Sequence, residues 1–152
     1  MNRTCIAWVI LTLNLTLTLS ILADNKISIA EMNPAEKGEL PIKLNCTEAL
    51  SCFTTIIHYP STMNINTEDV RIDPVRFPWK KRGLVISVDN TKHKIIFTVA
   101  DLVGQNAMVL PGNGNLFFIT RPGLQNSKTM SGFQIDQAEA YDLRGKPVKI
   151  TW

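Results

Sequence analysis

Leu84-Val-Ile-Ser-Val88, then Asp89-Asn-Thr-Lys-His93, then Lys94-Ile-Ile-Phe-Thr-Val-Ala100 is the stretch that decides the fold. Two runs rich in β-branched residues enclose a polar loop, the pattern of a β-hairpin, and Asp89 and Asn90 are residues that tolerate turn geometry. Both runs carry apolar residues on both phases of the strand period. These strands are therefore expected to be covered on both faces or to lie at the centre of a sheet.

Working outward, the same period of two recurs in short runs. Ile27 and Ile29 open the series, and Leu40, Ile42 and Leu44 alternate with Pro41, Lys43 and Asn45. Phe53 to His58 and Val70 to Phe77 follow; Pro74 demotes the second to an edge or bulged strand, because proline cannot donate to a ladder. C-terminal to the hairpin, residues 107–110 and 116–120 flank Pro111-Gly-Asn-Gly114 and read as a second hairpin. Arg121 to Ser131 reads as a loop, and Phe133 to Tyr141 as a strand or a short helix. Asp142 to Pro147 turns the chain into Val148, Ile150 and Trp152, which share one strand face, with Trp152 expected in the core. One helical turn near Thr47 to Leu50 is plausible. The result is about nine short strands with no long helix, which predicts an all-β fold: an antiparallel β-sandwich or small barrel-like single domain over residues 24–152.

Residues 1–23 have a different character. Met1-Asn-Arg-Thr carries one positive charge, an apolar stretch follows to Leu19, and Ser20-Ile-Leu-Ala23 precedes an abrupt change to Asp24-Asn25-Lys26. That order predicts a secretory signal peptide cut after Ala23, with a retained anchor as the alternative. Its apolar middle is short for a bilayer span. The expected product is exported, periplasmic or extracellular, with no membrane span after cleavage.

Of the chain's 152 residues, 45% are hydrophobic and 19% charged, the range of a globular domain. All 13 acidic residues and all but one of the 16 basic ones lie beyond position 23, so the net charge of +3 becomes +2 without the leader. Such a weak, dispersed bias argues against a nucleic-acid partner.

Cys5 leaves with the leader, and Cys46 and Cys52 remain as an even pair. In an oxidising compartment they are expected to form a disulfide worth about 2–3 kcal/mol in a loop this short. Free thiols, a redox pair or half of a metal site are the alternatives. Redox motifs favour two intervening residues, and zinc needs four ligands, so no metal site and no cofactor is expected.

Few parts for catalysis are present. His58 and His93 are the two imidazoles, one at a strand end and one in the hairpin turn, and no serine lies in a Gly-x-Ser-x-Gly elbow. Glu68 and Asp69 are adjacent, which in a strand sends them to opposite faces, and with Asp73 they read as a solvated turn. Pro111-Gly-Asn-Gly-Asn115 lacks the Lys-Ser/Thr of a phosphate loop. Asn45-Cys-Thr47 matches the N-glycosylation pattern. Trp152 superficially suits the last strand of an outer-membrane barrel, but the strands are too short.

The one basic cluster, Trp79-Lys80-Lys81-Arg82, either meets an acidic partner or blocks a strand edge. These readings converge on a non-enzymatic module that binds a protein partner: an inhibitor, an immunity-type protein, or an accessory subunit of a cell-envelope or secretion assembly. Its expected contacts are Trp79, Lys80, Lys81, Arg82 and the loop carrying Arg121 and Lys128, because polar loops on a rigid sheet concentrate binding residues. The competing reading is a small exported hydrolase using His58 or His93 as base.

Overall fold

The structure, a computed structural model, describes residues 24–30, 38–77, 83–101, 106–120 and 132–152. Among the described residues nine strands build two antiparallel sheets. Strands β1 (Lys26–Ile29), β2 (Glu39–Cys46), β7 (Gly112–Thr120) and β4 (Val70–Ile72) form a four-stranded sheet in the order β1-β2-β7-β4. Strands β5 (Leu84–Asp89), β6 (Lys94–Ala100), β3 (Leu50–His58), β8 (Gln134–Asp142) and β9 (Pro147–Val148) form a five-stranded sheet in the order β5-β6-β3-β8-β9. The sandwich is the expected all-β architecture.

The inner faces meet in one hydrophobic cluster, and the alternation of each strand decides which residues enter it. On β6 these are Ile95, Phe97 and Val99; on β3, Phe53 and Ile57; on β2, Leu40, Ile42 and Leu44. Phe97 stacks on Phe117 of the opposite sheet at 4.4 Å between ring centroids, with Phe77 tilted against it at 5.8 Å. A shift in register between Ile42 and Lys43 against β7 lets consecutive residues Leu116 and Phe117 both be fully buried.

The central hairpin forms as read. Asp89 accepts the N–H groups of Thr91 and Lys92, while Asn90 accepts from Tyr59 and Ile65 and donates back to the Ile65 carbonyl. Gly83, at φ 69°, starts β5 where any Cβ would collide with the Ala100 carbonyl oxygen. Pro74 follows β4, a three-residue edge strand, as the sequence indicated. Phe133 to Tyr141 resolves into strand β8.

Several expectations are corrected. Residues 107–110 do not pair with β7: Met108 and Val109 donate to the Leu50 carbonyl, so the segment crosses to the other sheet. The helical turn expected at Thr47 to Leu50 is absent, and among the described residues a 3₁₀ turn forms at Thr67–Asp69 instead. Trp152 is 56% exposed, because the chain end pairs beside β1 through Thr151 and leaves Ile150 to the core. β5 lies at a sheet edge rather than at the centre.

The disulfide expected between Cys46 and Cys52 is not formed; both are free thiols. The residues between them carry the chain from one sheet to the other. Cys46 ends β2 pointing into the core, whereas Cys52 lies on β3 next to inward Phe53 and so faces outward. Cys46 Sγ instead accepts from Arg76 Nη2 at 3.2 Å. Arg76 is itself 5% exposed and spends its other N–H groups on the carbonyls of Leu44 and Leu110. Burial raises the Cys46 thiol pKa, partly opposed by the Arg76 charge.

Candidate interaction face

Because β5 and β6 carry apolar residues on both phases and β3 adds Ile56, burying one phase leaves Val85, Ile96 and Ile56 on the outer face of the five-stranded sheet. Register places these outward residues in rows across the strands. Ser87, Ile96, Ile56 and Gln137 form the middle row. Val85, Thr98, Thr54 and Glu139 form the next, then Ala100, Cys52 and Tyr141. Ile56 and Ile96 are half-buried by their neighbours alone, Val85 is 60% exposed, and the Thr54 and Thr98 hydroxyls are 3.2 Å apart and satisfy each other. The centre of this face thus holds Ile96 and Ile56, with the paired Thr54 and Thr98 hydroxyls in the next row. Burial and nearby Glu139 raise the pKa of Cys52, keeping it a neutral thiol on the same surface.

Charges collect at the margins. Glu139 and Asp136 stand on β8, and Lys94 and His58 lie at the turn end of β6 and β3. A register shift on β8 leaves Asp136 out of the pairing, with Thr55 donating its hydroxyl to the Gln137 carbonyl at 2.9 Å. That shift brings Asp136 to 3.5 Å from His58 Nε2, and both are well exposed, at 43% and 59%.

The two imidazoles are thereby placed. His58 has an orienting carboxylate, and the residues opposite it across the strands are Lys94 and Gln134, neither of them a nucleophile. His93 occupies the hairpin turn at φ 49°, edge-on to Tyr59 at 5.6 Å, with its carbonyl accepting the Tyr59 N–H. The carboxylates also have structural roles: Asp69 accepts the Asn66 N–H and Asp73 that of Val75, each closing a local turn. Among the described residues no group of three His, Cys, Asp or Glu side chains converges as a metal site. No helix among them is long and apolar enough to cross a membrane.

Trp79, Lys80, Lys81, Arg82, Arg121 and Lys128 lie outside the described residues, as do positions 1–23. The residues that sequence reasoning missed are Ile56, Ile96, Val85 and Tyr141. For Val85 and Ile96 the signal was the second apolar phase of the two hairpin runs, read as cover on both faces or a place at the sheet centre; Ile56 and Tyr141 lie outside those runs.

No protein-family model matches the chain, and no curated protein matches it. Solved structures do match. A chain of the type I cohesin–dockerin complex Coh-OlpA-Doc918 from Clostridium thermocellum superposes with a TM-score of 0.61 at 12% identity, covering 84% of this chain and 92% of that one. The cohesin CaCohA2 from Clostridium acetobutylicum gives 0.58 at 16% identity over 88% and 89%. A non-cellulosomal cohesin from the archaeon Archaeoglobus fulgidus gives 0.54 at 18% over 84% and 83%. The nine-stranded sandwich described above is therefore similar in fold to cohesin modules.

Proposed function

We propose that this chain is an exported, non-enzymatic protein-binding module whose partner seats on the outer face of the five-stranded sheet. The observation that carries the reading is Ile96 and Ile56 side by side in one row with Val85 in the next, apolar side chains on a sheet face over which none of the described residues is laid. An apolar centre inside a rim of charges is the anatomy of a protein interface. Solved structures of the same fold include cohesin–dockerin complexes, which supports a protein as the occupant. Asp136 and Glu139 flank the row, so the partner we infer presents an apolar ridge with basic residues on the β8 side.

Export rests on the Met1 to Ala23 pattern, and the intact mass of the native protein should correspond to a chain beginning at Asp24. Trp79 to Arg82 directly precede β5 in sequence, and Arg121 and Lys128 fall between β7 and β8. They stay in the proposal as secondary contacts, and inhibitor, immunity-type and assembly-subunit roles remain its specific forms.

A photo-crosslinking amino acid at position 96, in cells of the source organism, tests the face against the opposite side of the sandwich. The reading expects one discrete protein adduct at position 96 and none from the same probe at position 43 on β2. Adducts from position 43 but not from 96 would overturn it.

A further inference from the structure

A strand edge on the side of the sandwich, distinct from the face just described, also lacks a partner among the described residues. The two sheets have four edge strands, β1, β4, β5 and β9. Three are blunted in recognisable ways. β1 is paired on its outer side by the chain end, with the Ile27 N–H given to the Thr151 carbonyl and the Thr151 N–H to Asn25. β4 is three residues long and is closed by Asp73-Pro74, and β9 is two residues long and opens with Pro147. β5 has none of these devices: it runs six residues, Leu84-Val-Ile-Ser-Val-Asp89, with no proline, no lysine and no register shift against β6.

The phase of its free hydrogen-bonding groups follows from the ladder. Ala100 donates to the Gly83 carbonyl, so Gly83, Val85, Ser87 and Asp89 hold the hydrogen-bonded positions opposite β6. The N–H and C=O groups of Leu84, Ile86 and Val88 consequently point away from the sheet. Beside the Leu84 and Ile86 end lies an open groove of about 570 Å³ between this edge and β4, floored by Val70, Ile72, Leu84 and Ile86. Glu68 lines its mouth. The neighbouring Arg71 is committed to Glu39 at 2.6 Å, so among the described residues no ion pair compensates the Glu68 charge.

We propose that the β5 edge takes an extended segment of a partner protein as an added strand. Its alternate apolar side chains enter the groove and a Lys or Arg meets Glu68. Backbone pairing supplies the affinity and the groove selects alternate residues, the recognition mode of strand addition. A second copy of this chain fits less well: its own Leu84 and Ile86 side chains are committed to its own core, so edge-to-edge pairing of two β5 strands would leave both grooves empty. The proposal stands independently of the outer-face reading, since it uses the backbone of β5 and the groove rather than Ile56 and Ile96.

The test uses the full mature chain and a synthetic ten-residue peptide of alternating Val and Thr with one terminal Lys, read by fluorescence anisotropy and amide hydrogen exchange. The expected result is saturable binding that slows exchange at Leu84, Ile86 and Val88. Val85→Lys, a charge placed on the edge strand, should weaken it at least tenfold with the melting temperature kept. Glu68→Gln should weaken it by about two- to threefold, an effect that vanishes at high salt. A peptide N-methylated at alternate residues, which cannot pair, should not bind. Four results would overturn the proposal: no protection at these amides, equal binding of the N-methylated peptide, loss of peptide binding in Ile96→Glu, or a dimer of the unliganded chain that Val85→Lys dissociates. The third result would move the peptide to the outer face, and so separates failure of this inference from failure of the functional reading.

Discussion

The outer faces of the two sheets are built from the same strand alternation and end in opposite states. On the four-stranded sheet, outward positions carry Lys26, Ser28, Lys43 and Asn45, and the aromatic exception, Phe118, lies under the Arg71 guanidinium at 5.0 Å. Arg71 is held in turn by Glu39. That face is finished for water. On the five-stranded sheet, the corresponding positions carry Val85, Ile96, Ile56, Ala100 and Tyr141, with charges at the margin. A fold needs one buried face per sheet, so outward Val85, Ile96 and Ile56 are not accounted for by the core that the described residues build. The difference between the faces locates the candidate interface.

Adjacent residues on β6 give the largest expected effect. Phe97→Asp puts an unpaired charge between Phe77 and Phe117, costing several kcal/mol, and should abolish the cooperative melting transition. Ile96→Asp, one residue away, should fold. Next in size is Arg76→Ala, which leaves the Leu44 and Leu110 carbonyls without their donor in the interior and should cost about 3 kcal/mol in urea unfolding. A cost under about 1 kcal/mol would mean that water replaces the guanidinium.

The faces themselves are compared by Ile56→Glu with Ile96→Glu against Lys43→Glu. The first pair should weaken partner binding about 100-fold, or about 2.7 kcal/mol, while Lys43→Glu stays within about twofold. Equal losses would erase the distinction between the faces. Arg71→Ala should cost about 0.5–1 kcal/mol through Glu39 and Phe118, decreasing with salt, and leave partner binding unchanged.

Smallest is the pH dependence of the turns. Backbone N–H groups of Lys92 and Thr91 hold Asp89 below the usual carboxylate range, and those of Lys146 and Arg144 do the same for Asp142. Depressed folded-state values mean that their stabilisation is fully present above about pH 3.9, the unfolded value, and is lost as pH falls through the folded one. The melting-temperature difference between wild type and Asp89→Asn should therefore be constant near neutrality and close below about pH 4.

Local pattern carried much of this into the sequence. The β5–β6 hairpin, the inward residues of β2, the edge position enforced by Pro74 and the Asp142 turn all follow from alternation and turn chemistry within a few residues. What was misread depends on distant partners. Cys46 and Cys52 are close in the chain, but the intervening residues change sheets, and spacing does not show on which face each thiol ends. Met108 and Val109 have strand character, yet the Leu50 carbonyl that receives them is far away in sequence. The candidate face was legible only at Val85 and Ile96, because two apolar phases in a strand look the same whether the second is covered by the fold or reserved for a partner, and Ile56 and Tyr141 join them only through the register of distant strands.

The most direct measurement is covalent footprinting of the mature chain, alone and in complex with the protein captured through position 96, resolved by mass spectrometry to single residues. The account predicts that Ile56, Val85, Ile96 and Tyr141 label in the free chain and lose labelling in the complex, while Lys43 and Arg71 label equally in both. Protection confined to the four-stranded face, with Ile56 and Ile96 unchanged, would contradict it.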